Sequence, residues 1–168
     1  MRQRRSSRRK TREGRQPEAS ALAVGLGLLS RRAHSRMELK RKLSRRGYSE
    51  EQMEAALTRL SELRYLDDQS FANGLVRRRG AVRGPMALSA ELAARGVGRA
   101  HADAAVAGFE PEAQLAAATH LAERLYARKP GAAYRQVLDE IGSKLMRRGF
   151  SATIVRAACR AVLSGAED

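Results

Sequence analysis

Tryptophan does not occur in this 168-residue chain, and phenylalanine and tyrosine together make up only 4% of it. A core must therefore come from Leu, Val, Met and Ala, which suits helices brought close together through small side chains. Long runs of β-branched residues are missing as well, so the chain reads as all-α. There is a single cysteine, Cys159, which excludes an internal disulfide. With no signal-peptide core at the N-terminus, the expected setting is the reducing cytoplasm. The longest apolar run, Ala21 to Leu29, falls well short of the roughly 20 residues needed to cross a bilayer, so no membrane span is expected.

Acidic residues are also in deficit. Eighteen stand against 33 basic ones, a net charge of +15, which predicts an anionic partner: nucleic acid, an acidic protein surface or anionic lipid. Residues 1 to 16 hold eight of the Arg and Lys residues and one acid, Glu13, a local charge of +7. Beyond Met1 they hold no large apolar residue, so residues 1–17 are expected to be a disordered basic arm. Such an arm either binds phosphate or serves as a solvated tail.

What the sequence does have is an internal pattern. Leu39, Leu43, Gly47, Tyr48, Met53 and Leu57 are echoed by Leu88, Leu92, Gly96, Val97, Ala102 and Val106, and again by Ile141, Leu145, Gly149, Phe150, Val155 and Cys159. Offsets from the glycine are the same in all three, and the glycines lie 49 and 53 residues apart. Each copy reads as a helix end, a left-handed glycine cap and a new helix start, so Gly47, Gly96 and Gly149 are expected at positive φ. The predicted architecture is nine helices in three tandem three-helix repeats that form an elongated, curved array. Expected boundaries are 18–66, 67–109 and 110–168.

Start signals place the helices. Pro17 precedes the first, which carries Leu22, Leu26 and Leu29 and is expected to run to about His34. Ser35-Arg-Met-Glu38 and Ser49-Glu-Glu-Gln52 are capping-box patterns. After the second, Met53, Leu57, Leu60 and Leu63 form a helical stripe. Asp67 or Asp68 caps a helix bearing Phe71 and Leu75, and Pro85 follows Gly84 at a first helical position. Ser151 caps the last helix, whereas Gly98 stands where the other units have serine and predicts a weaker start.

No catalytic constellation emerges, and no metal or cofactor is expected. His34, His101 and His120 lie in different units without metal-ligand spacing and read as surface or groove residues. Gly25-Leu-Gly27 sits in a helical pattern with no Walker lysine. Asp67 and Asp68 point apart on a helix and suit capping better than a metal. Cys159, Tyr48 and Phe150 fall on core positions of the repeat.

The arginines carry the sharper hypothesis. Arg45, Arg46, Arg95, Arg147 and Arg148 precede the repeat glycines, and stacking with constant geometry would line them along one edge as a row of cations for phosphate or an acidic surface. Equally, cations at helix C-termini complement the helix dipole at about 0.3 to 1 kcal/mol each. Arg77, Arg78 and Arg79 carry the same two readings, and Arg31 and Arg32 join them as candidates.

Leu28-Leu-Ser-Arg31, Ser35-Arg-Met-Glu38-Leu39, Arg46-Gly47-Tyr48 and above all Tyr65-Leu-Asp-Asp68-Gln-Ser-Phe71-Ala72, followed by Gly84-Pro85, resemble the RecX family of bacterial regulators of the RecA recombinase. The resemblance covers about Ala21 to Val162, and in the third unit only the glycine-centred pattern carries it. It implies tandem three-helix repeats, with Asp67, Asp68 and Phe71 as motif residues. It also implies a non-enzymatic regulator that binds the RecA–single-stranded DNA filament and opposes its growth, ATP hydrolysis and strand exchange. The basic arm is not part of that motif. The partners implied are the filament, together with single-stranded or duplex DNA met through the basic surface and arm, and the protein is expected to be a monomer. The alternatives are a direct DNA-binding protein built on three-helix units and a helical adaptor with no nucleic-acid role.

Overall fold

The computed structural model describes residues 19–128, 131 and 133–164. The arm expected at 1–17 lies outside them. Among the described residues there are nine helices and no strand. They are α1 (Ala21–Leu29), α2 (Arg36–Ser44), α3 (Glu50–Glu62), α4 (Asp68–Arg79), α5 (Pro85–Ala94), α6 (Arg99–Ala107), α7 (Pro111–Tyr126), α8 and α9 (Ala152–Ser164). Helix α8 runs through Tyr134–Val137, opens into a π-helical turn at Leu138–Gly142 and closes again at Ser143–Arg147.

Buried side chains fall into three separate clusters, one for each successive trio of helices. Leu39, Leu43, Met53, Leu57 and Leu60 centre the first. Phe71, Leu75, Leu88 and Leu92 centre the second. Leu145, Phe150, Val155 and Cys159 belong to the third. Tyr48, Val97 and Phe150, each directly after its repeat glycine, are all buried. Those glycines take φ of +88°, +76° and +88° at 47, 96 and 149, a region that costs residues with a Cβ about 1–2 kcal/mol. Arg64 has φ +60° at the end of α3, where Tyr65 N and Leu66 N both donate to Leu60 O before unit two begins.

Helix α1 corrects two expectations. It ends at Leu29 rather than near His34, and Ser30 closes it. Its buried line is Ala21, Gly25 and Leu28, with Leu22, Leu26 and Leu29 only half-buried beside it. Close approach is the reason: a Cβ on Gly25 would lie 2.7 Å from Leu60 Cδ1, so Gly25 lets α1 come close to α3, with Ala21 and Leu28 buried on the same line.

Capping follows local chemistry with one departure. Ser49 and Gln52 complete a reciprocal box, and Gly98 caps α6 without a side-chain bond. Ser35 accepts from Glu38 N at 3.1 Å, but the Glu38 side chain turns away to other partners, leaving half a box.

Adjacent units meet through one repeated joint. Ser35 and Gly84 each stand twelve residues before their unit's glycine and each N-caps the second helix of its unit. Ser35 Oγ donates to Arg95 O at 2.5 Å, and Gly84 N donates to Arg148 O at 2.8 Å. The glycine cap of one unit thus sits on the start of the second helix of the unit before it. Both caps need glycine twice over, since a Cβ on Gly96 would overlap Met37 and one on Gly149 would overlap the backbone of Ala87.

Candidate functional site

The first joint gathers chemistry that the sequence spreads over sixty residues. Arg32 comes from the loop after α1, Arg78 and Arg79 from the last turn of α4, and Arg95 from the cap of α5. They surround a cleft of about 610 Å³ whose apolar wall is Ala33, Phe71 and Leu75. Four guanidinium groups face one lining carboxylate, Glu91, with Glu38 behind it.

Glu38 is the hub of this joint. Its carboxylate takes Arg32 at 3.2 Å, His34 Nδ1 at 3.3 Å and, from the next unit, Arg95 at 3.1 Å. Burial pushes its pKa up, yet Arg32, the hydrogen bond from His34 and Arg95 together outweigh burial and hold it below the usual carboxylate value. Arg95 also pairs with Glu91 at 2.8 Å, and Arg79 Nε stands 3.9 Å from the same carboxylate. Arg78 has no carboxylate partner among the described residues, and its guanidinium lies over the face of Gly74. Two carboxylates against four cations leave the cleft positive.

His34 is a correction. Expected as a surface or groove histidine, it is 3% exposed, in the turn that joins α1 to α2. Burial and then the neighbouring Arg32 lower its pKa, so the fold holds it neutral. Neither His34 nor Glu38 stood out in the sequence as part of a site. The only signal was Glu38 at the third position after a capping serine, a pattern that reads as local.

The two motif aspartates divide their work. Asp67 caps its own helix, accepting from Gln69 N at 2.8 Å and Ser70 N at 3.2 Å. The hydroxyl and then the backbone of Ser70 lower its pKa, outweighing burial. Asp68 instead accepts from Arg36 N at 2.7 Å, which caps α2 of the preceding unit. Phe71 is buried under the arginines.

The remaining candidates are dispersed. Arg31, Arg45 and Arg46 are exposed on unit one, and Arg46 Nη1 donates to Lys42 O in its own helix. Arg77 lines a second, mostly apolar groove of about 800 Å³ between α4, α6 and α7. Arg147 is exposed, while Arg148 Nη1 reaches Val82 O in unit two at 3.2 Å. Of the residues before the repeat glycines, Arg95 and Arg148 therefore serve the joints, and Arg46 reaches no other unit among the described residues. His101 pairs with Gln69 at 3.0 Å on the surface and His120 is exposed. Among the described residues no group of His, Cys, Asp and Glu has metal-site geometry, and no helix is long and apolar enough to cross a membrane.

Family models for the first and second three-helix domains of RecX match residues 21–60 and 67–106. Regulatory protein RecX of Stenotrophomonas maltophilia (strain K279a) is 38% identical over 153 residues, which is 89% of this chain and 91% of that protein. Regulatory protein RecX of Mycolicibacterium vanbaalenii is 36% identical over 142 residues, 80% of this chain and 77% of that one. The crystal structure of RecX from Lactobacillus salivarius superimposes with a TM-score of 0.79 over 86% of this chain and 95% of that chain; at 23% identity this bears on the fold alone. A second crystal structure of regulatory protein RecX gives a TM-score of 0.72 at 27% identity, covering 80% of this chain and 68% of that chain.

Proposed function

The chain belongs to the RecX family of regulatory proteins, and on that premise we propose that it binds the RecA–single-stranded DNA filament and limits its extension, ATP hydrolysis and strand exchange. It does so in the cytoplasm, as a monomer, by occupying surface and with no chemistry of its own. In this reading 18–66, 67–109 and 110–168 are the working units, lying along the filament as an elongated, curved array.

The observation that carries the proposal is the cleft at the first joint, where Arg32, Arg78, Arg79 and Arg95 surround an apolar floor with two carboxylates between them. An acidic filament surface or the DNA phosphates within it supply the missing anions. Arg31, Arg45, Arg46, Arg77, Arg147 and Arg148 belong to the same basic surface but outside the cleft. The test is direct: sub-stoichiometric protein added to RecA on single-stranded DNA lowers ATPase and strand exchange, and unchanged rates overturn the proposal.

Direct binding to DNA is the second reading, favoured by Arg78, which lines the cleft without a carboxylate partner among the described residues, and by the +7 of residues 1 to 16. It predicts affinity for naked duplex that falls with salt at a slope of about 0.9 per phosphate contacted. It also predicts that removing residues 1 to 16 abolishes DNA binding, whereas the filament reading keeps inhibition without the arm.

A further inference from the structure

The repeated joint has a vacant copy. In units two and three, the carbonyl before the repeat glycine accepts a hydrogen bond from the N-cap of another helix: Ser35 Oγ on Arg95 O, and Gly84 N on Arg148 O. The space above each glycine is filled, by Met37 over Gly96 and by Ala87 over Gly149. At Gly47 the same cap, with φ +88°, has no atom of the described residues within 4 Å of where a Cβ would stand. Arg46 O, the counterpart of Arg95 O and Arg148 O, accepts no hydrogen bond from any described residue. Arg45 and Arg46 flank this cap and are exposed.

From this we infer that the Gly47 cap is a socket for the first turn of a helix on a partner protein. The first joint is the template for that helix, since the second, where Gly84 and Ala87 hold the same two places and Arg148 reaches Val82 O, offers no polar side chain to copy. Its N-cap is a hydroxyl residue like Ser35, which donates to the cap carbonyl. Its third residue is a glutamate like Glu38, which Arg95 grips at 3.1 Å and which Arg46, standing in the same place before its glycine, grips in the socket. The partner helix therefore opens Ser/Thr-x-x-Glu. Its positive N-terminal end meets the negative C-terminal end of α2, so the dipoles agree as well.

Charge and topology remove the other occupants. The basic arm adds positive charge to an arginine-flanked site. In a second copy of this chain the helix starts that correspond to the joint are not free: Ser35 and Gly84 are engaged, and Val137, at the equivalent position of unit three, is already inside α8 with its N–H on Ala133 O.

The inference rests on the filament reading, since it places the helix on the protein surface of the RecA filament. Gly47→Asn tests it: asparagine tolerates the left-handed region, and the free chain has room for the side chain, so the variant folds while its Cβ blocks the socket. We expect this variant, and Arg46→Glu independently, to bind filaments on single-stranded DNA at least about tenfold more weakly than wild type. A benzophenone on Arg46→Cys is expected to cross-link to a recombinase peptide containing a Ser/Thr-x-x-Glu helix start. Wild-type affinity in both folded variants, or cross-links that map elsewhere, overturns the socket and leaves the filament reading intact. Failure of the wild-type protein to bind filaments overturns both.

Discussion

Asp68 Oδ1 accepts the backbone N–H of Arg36 at 2.7 Å, thirty-two residues away in sequence, while its neighbour Asp67 caps the helix that both aspartates open. Adjacent carboxylates point to different sides of a helix start, and here each side belongs to a different unit. The pair thus ties unit two to unit one at the place where the arginine cleft forms.

Asp67→Ala and Asp68→Ala are each expected to lower stability by about 1 kcal/mol, the usual worth of an N-cap. Their effects diverge in location. Hydrogen exchange in Asp67→Ala rises at the start of α4, whereas in Asp68→Ala it rises at the start of α2.

Alanine at the three repeat glycines separates conformational strain from packing. Gly47→Ala costs only the left-handed backbone, about 1–2 kcal/mol, because its Cβ meets none of the described residues. Gly149→Ala adds an overlap with the Ala87 backbone, and a further 1–3 kcal/mol or so follows from overpacking. Denaturant midpoints are expected to order Gly47→Ala above Gly149→Ala, and equal midpoints would contradict the joint geometry.

Acidification loosens the first joint in two separate windows. His34 is held neutral, with its folded pKa below the unfolded value of 6.5, so stability begins to fall as pH drops below that value and continues to fall until the folded pKa is passed. Glu38 is held ionised, with its folded pKa below 4.5, so its contribution is present above that value and is lost as pH falls through the folded pKa. Melting temperatures measured from pH 7 to 5.5 are expected to decline less in His34→Gln than in wild type.

Glu38→Gln tests the hub at neutral pH. Loss of the charge weakens three contacts to Arg32, His34 and Arg95, and about 1.5–3 kcal/mol is expected, the range for hydrogen bonds to charged groups. The loss is readable as a lowered urea midpoint.

Charge reversal tests the cleft. Arg78→Glu is expected to weaken filament binding by about tenfold at low salt, with the difference shrinking as ionic strength rises. Arg99→Glu, which changes a 94% exposed arginine on α6 away from the cleft, is the control and leaves binding unchanged.

Much of the fold was written locally. The spacing of Leu39, Leu43, Gly47 and their two echoes fixes three glycine-capped helix pairs, because periodicity and positive φ are properties of a few consecutive residues. Helix starts at Ser49, Pro85 and Ser151 follow from the same short-range chemistry. The face of α1 did not follow, because leucines advertise burial more loudly than glycine does, and only contact with Leu60 shows that Gly25 makes the seam.

The sequence by itself determined that the chain is helical, repeated, basic and RecX-like, since composition, period and motif survive without coordinates. Tertiary structure alone decided which arginines act together. Arg32, Arg78, Arg79 and Arg95 share a cleft, while Arg46 stands open and Arg148 is spent on a joint. The physical reason is the reach of the interactions: a helix cap is set within four residues, but a carboxylate such as Glu38 chooses its cations across a joint whose two sides lie fifty-seven residues apart.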